Sequence, residues 1–182
     1  IALRFQDQFL PAPNYHQATH AVEAPAVFVG QGVHAPELGH DDFAGLDLTG
    51  KVAVLFPGAP ARFDHDRRAF YSSSREKLRE LASRGAVGVV WVNTPKQEAG
   101  APWKDDAANW RESSMRLRGP DGKGVDTYPE LQGIAYVSAA TADLVFADGP
   151  RTAAQLFDAA EAGTLRGFDL PGTIRLAGRT TL

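Results

Sequence analysis

The 182-residue sequence has no cysteine, which excludes disulfides, thiolate zinc sites and cysteine nucleophiles together. It leaves the compartment open, since secreted proteins can also lack cysteine. No apolar run approaches the roughly 20 residues that span a bilayer, so no membrane span is expected. The start, Ile1-Ala2-Leu3-Arg4-Phe5, has neither an initiator methionine nor a signal-peptide pattern, and reads as a chain cut from something longer. With 19 Lys and Arg against 22 Asp and Glu, the net charge is −3. That lacks the basic excess needed to hold a phosphate backbone, and no nucleic-acid partner is expected.

Motifs are missing too. There is no Gly-x-x-x-x-Gly-Lys-Ser/Thr loop to wrap a phosphate and no Gly-x-Ser-x-Gly nucleophile elbow. Gly30-Gln31-Gly32 falls short of a dinucleotide fingerprint, because Ala35 stands at the third glycine and no helix is predicted to open there. Ser72, Ser73 and Ser74 have no His or Asp placed by sequence to activate them.

What is present is a folded composition: 43% apolar and 23% charged residues, near globular averages. One domain is the default for this length, at about 150 residues per domain. The 18 Gly and 12 Pro exceed their usual share of about 12% and point to many turns and short elements. Strands are expected at 25–30, at 52–56 between Gly50 and Gly58, at 86–92 and at 133–138, with a closing, alternating strand at 173–178. A helix is expected over 68–84, with Tyr71, Ser74, Leu78, Leu81 and Ala82 inward, and Glu76/Arg79, Lys77/Glu80 and Glu80/Arg84 as outward pairs. Gly85 stands where a terminating glycine belongs, and Asp66 is the expected N-terminal cap of that region. Residues 51–92 thus read as strand, helix, strand, a right-handed crossover if the strands are parallel. A short helical stretch runs through Leu144, Val145 and Phe146. Thr152-Ala153-Ala154-Gln155 is a capping box, followed by apolar Ala153, Leu156, Phe157 and Ala160 and a stop at Gly163. Residues 93–131 read as an unusually long polar loop, of the kind that is functional or conceals elements of its own.

The densest chemistry is in His34, Glu37, His40, Asp41 and Asp42, imidazoles and carboxylates that could hold a divalent metal if they converged. The competing reading is an acidic turn whose side chains bond their own backbone.

The block Val27-Phe28-Val29-Gly30-Gln31-Gly32-Val33-His34-Ala35-Pro36-Glu37, with Asp41-Asp42-Phe43 and Asp47-Leu48-Thr49-Gly50-Lys51, resembles the opening signature of the protease-associated domain. That domain is inserted in zinc-dependent aminopeptidases and carboxypeptidases of the glutamate carboxypeptidase and transferrin receptor superfamily. The usual form has Tyr where Gln31 and Phe43 stand. Ala82-Ser83-Arg84-Gly85-Ala86-Val87-Gly88-Val89 resembles the family's helix-to-strand passage, and Pro102-Trp103 and Ser138–Ala142 are also similar, so the resemblance covers about residues 26–165.

The resemblance implies an α/β (α+β) fold, the swivelling β/β/α architecture in which a curled mixed sheet is flanked by helices. It implies a non-catalytic module, in which no residue of this segment is catalytic and no cofactor is held, while zinc belongs to the catalytic peptidase domain of the same parent chain. It also implies a periplasmic or secreted parent. The family's Glu-Glu base has no counterpart, and the single His-x-Asp, His40 to Asp42, lies inside the signature. The expected role is to shape substrate access or mediate contacts with that domain and with peptide or protein substrate. Trp103, Trp110, Arg111 and Tyr128 are the candidate contact surface. The alternative is a free-standing metallohydrolase built on His34, His40 and Asp42.

Overall fold

The computed structural model describes residues 1–180. Its elements, in chain order, are β1 (Phe9–Pro11), β2 (Thr19–Phe28), β3 (His34–Ala35), β4 (His40–Asp41), β5 (Val52–Leu55), α1 (His65–Tyr71), α2 (Ser74–Ser83) and β6 (Gly88–Val92). There follow α3 (Pro95–Gly100), α4 (Trp103–Asn109), β7 (Gly133–Val137), α5 (Ala142–Val145), α6 (Ala153–Glu161) and β8 (Phe168–Arg179).

β5 and β6 have apolar residues at consecutive positions, so neither face of these strands can be given to water, and both are buried throughout. They occupy the middle of a six-stranded sheet ordered β1-β7-β6-β5-β2-β8. The four central strands, β2, β5, β6 and β7, run parallel, while β1 and β8 close the edges antiparallel. Period-two alternation then divides the core in two. Phe28, Val52, Val54, Val90 and Val92 face Leu156 and Ala159 of α6. Val27, Ala53, Leu55, Val89 and Trp91 face Leu81 and Leu78 of α2.

The sheet curls into a half-barrel. β2 and β8 pair along ten registered positions, interrupted by a bulge at Pro25/Ala26 opposite Pro171-Gly172, where Gly172 takes φ +81°. The ribbon bends over the sheet, and Leu176 reaches the starts of β6 and β7. A Cβ added at Gly133 would lie 2.8 Å from the Leu176 Cβ, and one at Gly88 would lie 3.2 Å from its Cδ1. Glycine at these two positions lets the curl close. The curled mixed sheet flanked by helices is the architecture expected above.

The strand-helix-strand reading of 51–92 holds, with β5 and β6 parallel and joined through α2. The capping box at Thr152 and Gln155 is present, and Gly163 follows at φ +67°. Several expectations need correction. The helix expected over 68–84 is two helices, broken at Ser72-Ser73, because serine side chains compete for backbone partners and weaken a helix interior. Asp66 is not the cap of the first. Asp64 is, accepting from the Arg67 N–H at 3.0 Å, since it precedes the first helical residue. Lys77 does not lie outside with Glu80; it is 1% exposed. The 93–131 loop contains α3 and α4, and α3 opens with its own capping box, Thr94 and Gln97, with Pro95 at its first turn. The strand ranges also grow, from 25–30 to 19–28 and from 173–178 to 168–179, because the β2–β8 ribbon extends beyond the apolar stretch that marked each strand.

Leu156 is fully buried at the centre of the α6 face. Leu156→Ala should cost about 2–5 kcal/mol through the cavity it leaves. Phe70→Ala, at an exposed position of α1, should cost under about 1 kcal/mol. Urea titration of both variants tests the comparison.

Candidate functional site

The site is built on the loop that leaves β2. Gly30 and Gly32 both adopt left-handed backbone, at φ +58° and +65°. Gly30 is also needed for space, since a Cβ there would lie 3.0 Å from the Asp42 Oδ1. Into that space the Asp42 carboxylate enters, accepting from the backbone N–H groups of Gln31 and Val33 at 3.1 Å each. The Asp42 N–H in turn donates to the Val33 carbonyl at 2.9 Å. The two glycines and the aspartate of the signature are therefore one structural unit, an anion held in a nest of amides.

From the other side comes Lys77 of α2, whose Nζ donates to the carbonyls of Gln31 and Gly58. Burial pushes this amine down from 10.5 to about 7, and the Asp42 charge opposes the shift. A neutral amine still has two N–H groups, one for each carbonyl. The Gln31 peptide is thus gripped at its N–H by a carboxylate and at its carbonyl by an amine. Lys77 lies four residues before Leu81 on the same helical stripe. Its residue type argued for an outward position.

His34 and Asp41 face each other across the short β3–β4 pair, Nδ1 to Oδ1 at 3.3 Å. Asp41 Oδ1 accepts from the Phe43 N–H at 2.9 Å. His40, next along the ribbon, projects to the other face, with Nε2 3.1 Å from the Asp42 Oδ1 and its ring edge-on to Phe63. His34 borders a cavity of about 110 Å3 with Tyr71 and Lys77, whereas His40 borders a separate cleft. The Glu37 carboxyl is engaged by the Tyr71 hydroxyl, which holds the acid below its ordinary value and pushes the phenol up. Among the described residues, no group of three or more His, Asp or Glu side chains is placed to hold a metal ion. The ribbon's alternation places the His34 and His40 imidazoles on different faces.

Phe43, one of the two departures from the signature, is buried with the Arg84 guanidinium 4.2 Å from its ring centroid. Gln31, the other, serves the unit above through its backbone.

The candidate contact residues are divided. Trp103 donates from Nε1 to the Gln6 carbonyl at 2.9 Å, and Trp110 to the Pro11 carbonyl at 3.0 Å with its ring edge-on to Phe5, centroids 4.6 Å apart. Both hold the N-terminal segment against α4, and Trp110 remains 37% exposed. Tyr128 packs against the α2-side core, where burial raises its phenol. Arg111 is exposed. Beyond it, residues missed in the sequence form a projection: Leu117–Val125 is a small hairpin closed by the Gly119 N–H to the Lys123 carbonyl and the Val125 N–H to the Leu117 carbonyl, 2.7 Å each. It leaves Met115 and Leu117 83% and 79% exposed. Arg75 ties its base to α2 through Asp126 at 3.1 Å.

The sequence matches no family model and no curated protein. Among solved structures it is similar to an aminopeptidase from Aneurinibacillus sp. strain AM-1, at 17% identity and a TM-score of 0.38, over 94% of this chain and 37% of that one. The chain therefore spans little more than a third of that protein's length.

Two outcomes are expected of this region. The unfolded chain keeps the Lys77 proton up to about 10.5 while the folded chain releases it near 7, so folding gains stability as pH rises from about 7 toward 10. Lys77→Met should remove that gain, up to about 1 kcal/mol per pH unit, in denaturant titrations at pH 7 and 9.5. A variant profile as steep as the wild type's contradicts the assignment. Trp110→Ala, which loses a hydrogen bond and the Phe5 contact, should cost about 1–2 kcal/mol and increase amide exchange in residues 5–11.

Proposed function

We propose that the chain is a non-catalytic, protease-associated module of a zinc-dependent exopeptidase, which shapes substrate access or mediates contacts, while zinc and the reacting groups belong to a separate catalytic domain of the parent. The observation that carries this reading is the engagement of the signature's charged groups in architecture. Asp42 holds two amides, Asp41 holds a third, and Glu37 takes the Tyr71 hydroxyl. Groups so engaged brace a loop, whereas a metal site needs lone pairs directed at one point.

The surface that suits a partner is the projection after α4. Met115, Leu117 and Val125 are exposed apolar side chains beside Arg111, Arg116, Arg118 and Lys123. Exposed apolar groups rimmed by charge are the composition of a docking patch. In this reading the patch meets the catalytic domain or the peptide or protein substrate, and the parent works in the periplasm or outside the cell, as the resemblance implies.

The test is hydrolysis. The purified protein, metal-stripped or supplied with zinc, should cleave neither amino-acyl nor dipeptide substrates and should retain no stoichiometric zinc after dialysis. Zinc-dependent cleavage that is lost in His40→Ala would favour the metallohydrolase instead. Met115→Ser and Leu117→Ser should each change stability by less than about 0.5 kcal/mol, since they lose little packing. Both should weaken association with the catalytic domain in a pull-down.

A further inference from the structure

On the face of the ribbon that carries His40, a cleft of about 520 Å3 opens between the β3–β4 pair and the loop joining α6 to β8. Its volume lies in the range of pockets that take organic ligands of several groups, well above what one inorganic ion fills. Its lining residues include the charged Asp41, Asp42, Arg62 and Arg166, together with His40. The acids are already engaged, Asp42 by two amides and Asp41 by a third and by His34. The arginines are not: among the described residues, neither Arg62 nor Arg166 forms an ion pair.

Both guanidiniums are nonetheless held. Arg62 lies over the Phe63 ring, 5.1 Å from its centroid, and Arg166 donates from one Nη to the Leu165 carbonyl at 2.9 Å. Each keeps further N–H donors in the planar fork that matches a carboxylate. Two different loops bring them to the same cleft, where Pro36 and Ala44 add exposed apolar surface.

We propose that this cleft is a binding subsite for a peptide carboxylate, received by Arg62 and Arg166, with the adjoining residue lying along Pro36 and Ala44. The site stands on this chain's own residues and does not depend on the accessory role proposed above.

The experiment is an NMR titration of the whole protein with N-acetyl-trialanine carrying a free carboxylate, with the same peptide amidated at its C-terminus, and with inorganic phosphate. The free carboxylate should shift the amides of Gly39 and Gly163, which line the cleft, and the amide form should bind at least about tenfold more weakly, a loss of about 1.4 kcal/mol. Arg62→Gln and Arg166→Gln should each weaken binding by a similar factor. Ala44→Trp should block it while leaving both charges in place. Shifts at other residues only, or equal affinity for the carboxylate and amide forms, would overturn the proposal. So would phosphate binding as tight as the peptide's, since the cleft would then be a plain anion site.

Discussion

The arrangement on which the rest depends is the double grip on the Gln31 peptide. A buried carboxylate takes its N–H and a buried amine takes its carbonyl, so a loop of left-handed glycines has one conformation instead of many. Neither group would be tolerated alone, because an isolated buried charge or orphaned polar group costs several kcal/mol. The grip joins the end of β2 and the Gly58 turn to α2, and it sets the β3–β4 ribbon through the Asp42 backbone.

Outside that centre the molecule divides its surfaces by chemistry. α4 and the N-terminal segment are bound to each other by two indole N–H groups and by the Gln6 side chain donating to the Ala107 carbonyl at 3.1 Å. The hairpin that follows has backbone bonds of its own and a link at Asp126, yet leaves its apolar side chains uncovered. The ribbon carries imidazoles on two faces, each next to a different cavity.

Much of this arrangement is legible in the sequence. Consecutive apolar residues at 52–55 and 88–92 announce strands covered on both faces, and the sheet places them at its centre. Thr152 and Gln155 announce a helix start, as Thr94 and Gln97 do in the same pattern for α3. The α3 signal lay in plain view within a long polar stretch that reads as a functional loop or one that conceals elements of its own. The break at Ser72-Ser73 was harder to see, because Tyr71, Ser74 and Leu78 keep helical spacing across it.

The sequence by itself determined the central strands at 52–55 and 88–92, the start of α6 and its apolar face, and that Gly30, Gly32, Asp41 and Asp42 stand in one short block. Those properties are local, set by side-chain periodicity and backbone freedom over a few residues. Tertiary structure alone decided that Lys77 turns inward, that Trp103 and Trp110 close on the N-terminal segment, and that Arg62 and Arg166 share a cleft. These partners are distant in the chain, as Lys77 is from Gln31 and Trp110 from Pro11. Whether a polar side chain is buried depends on a partner waiting there, and that partner exists only once the sheet has curled and the loops have met.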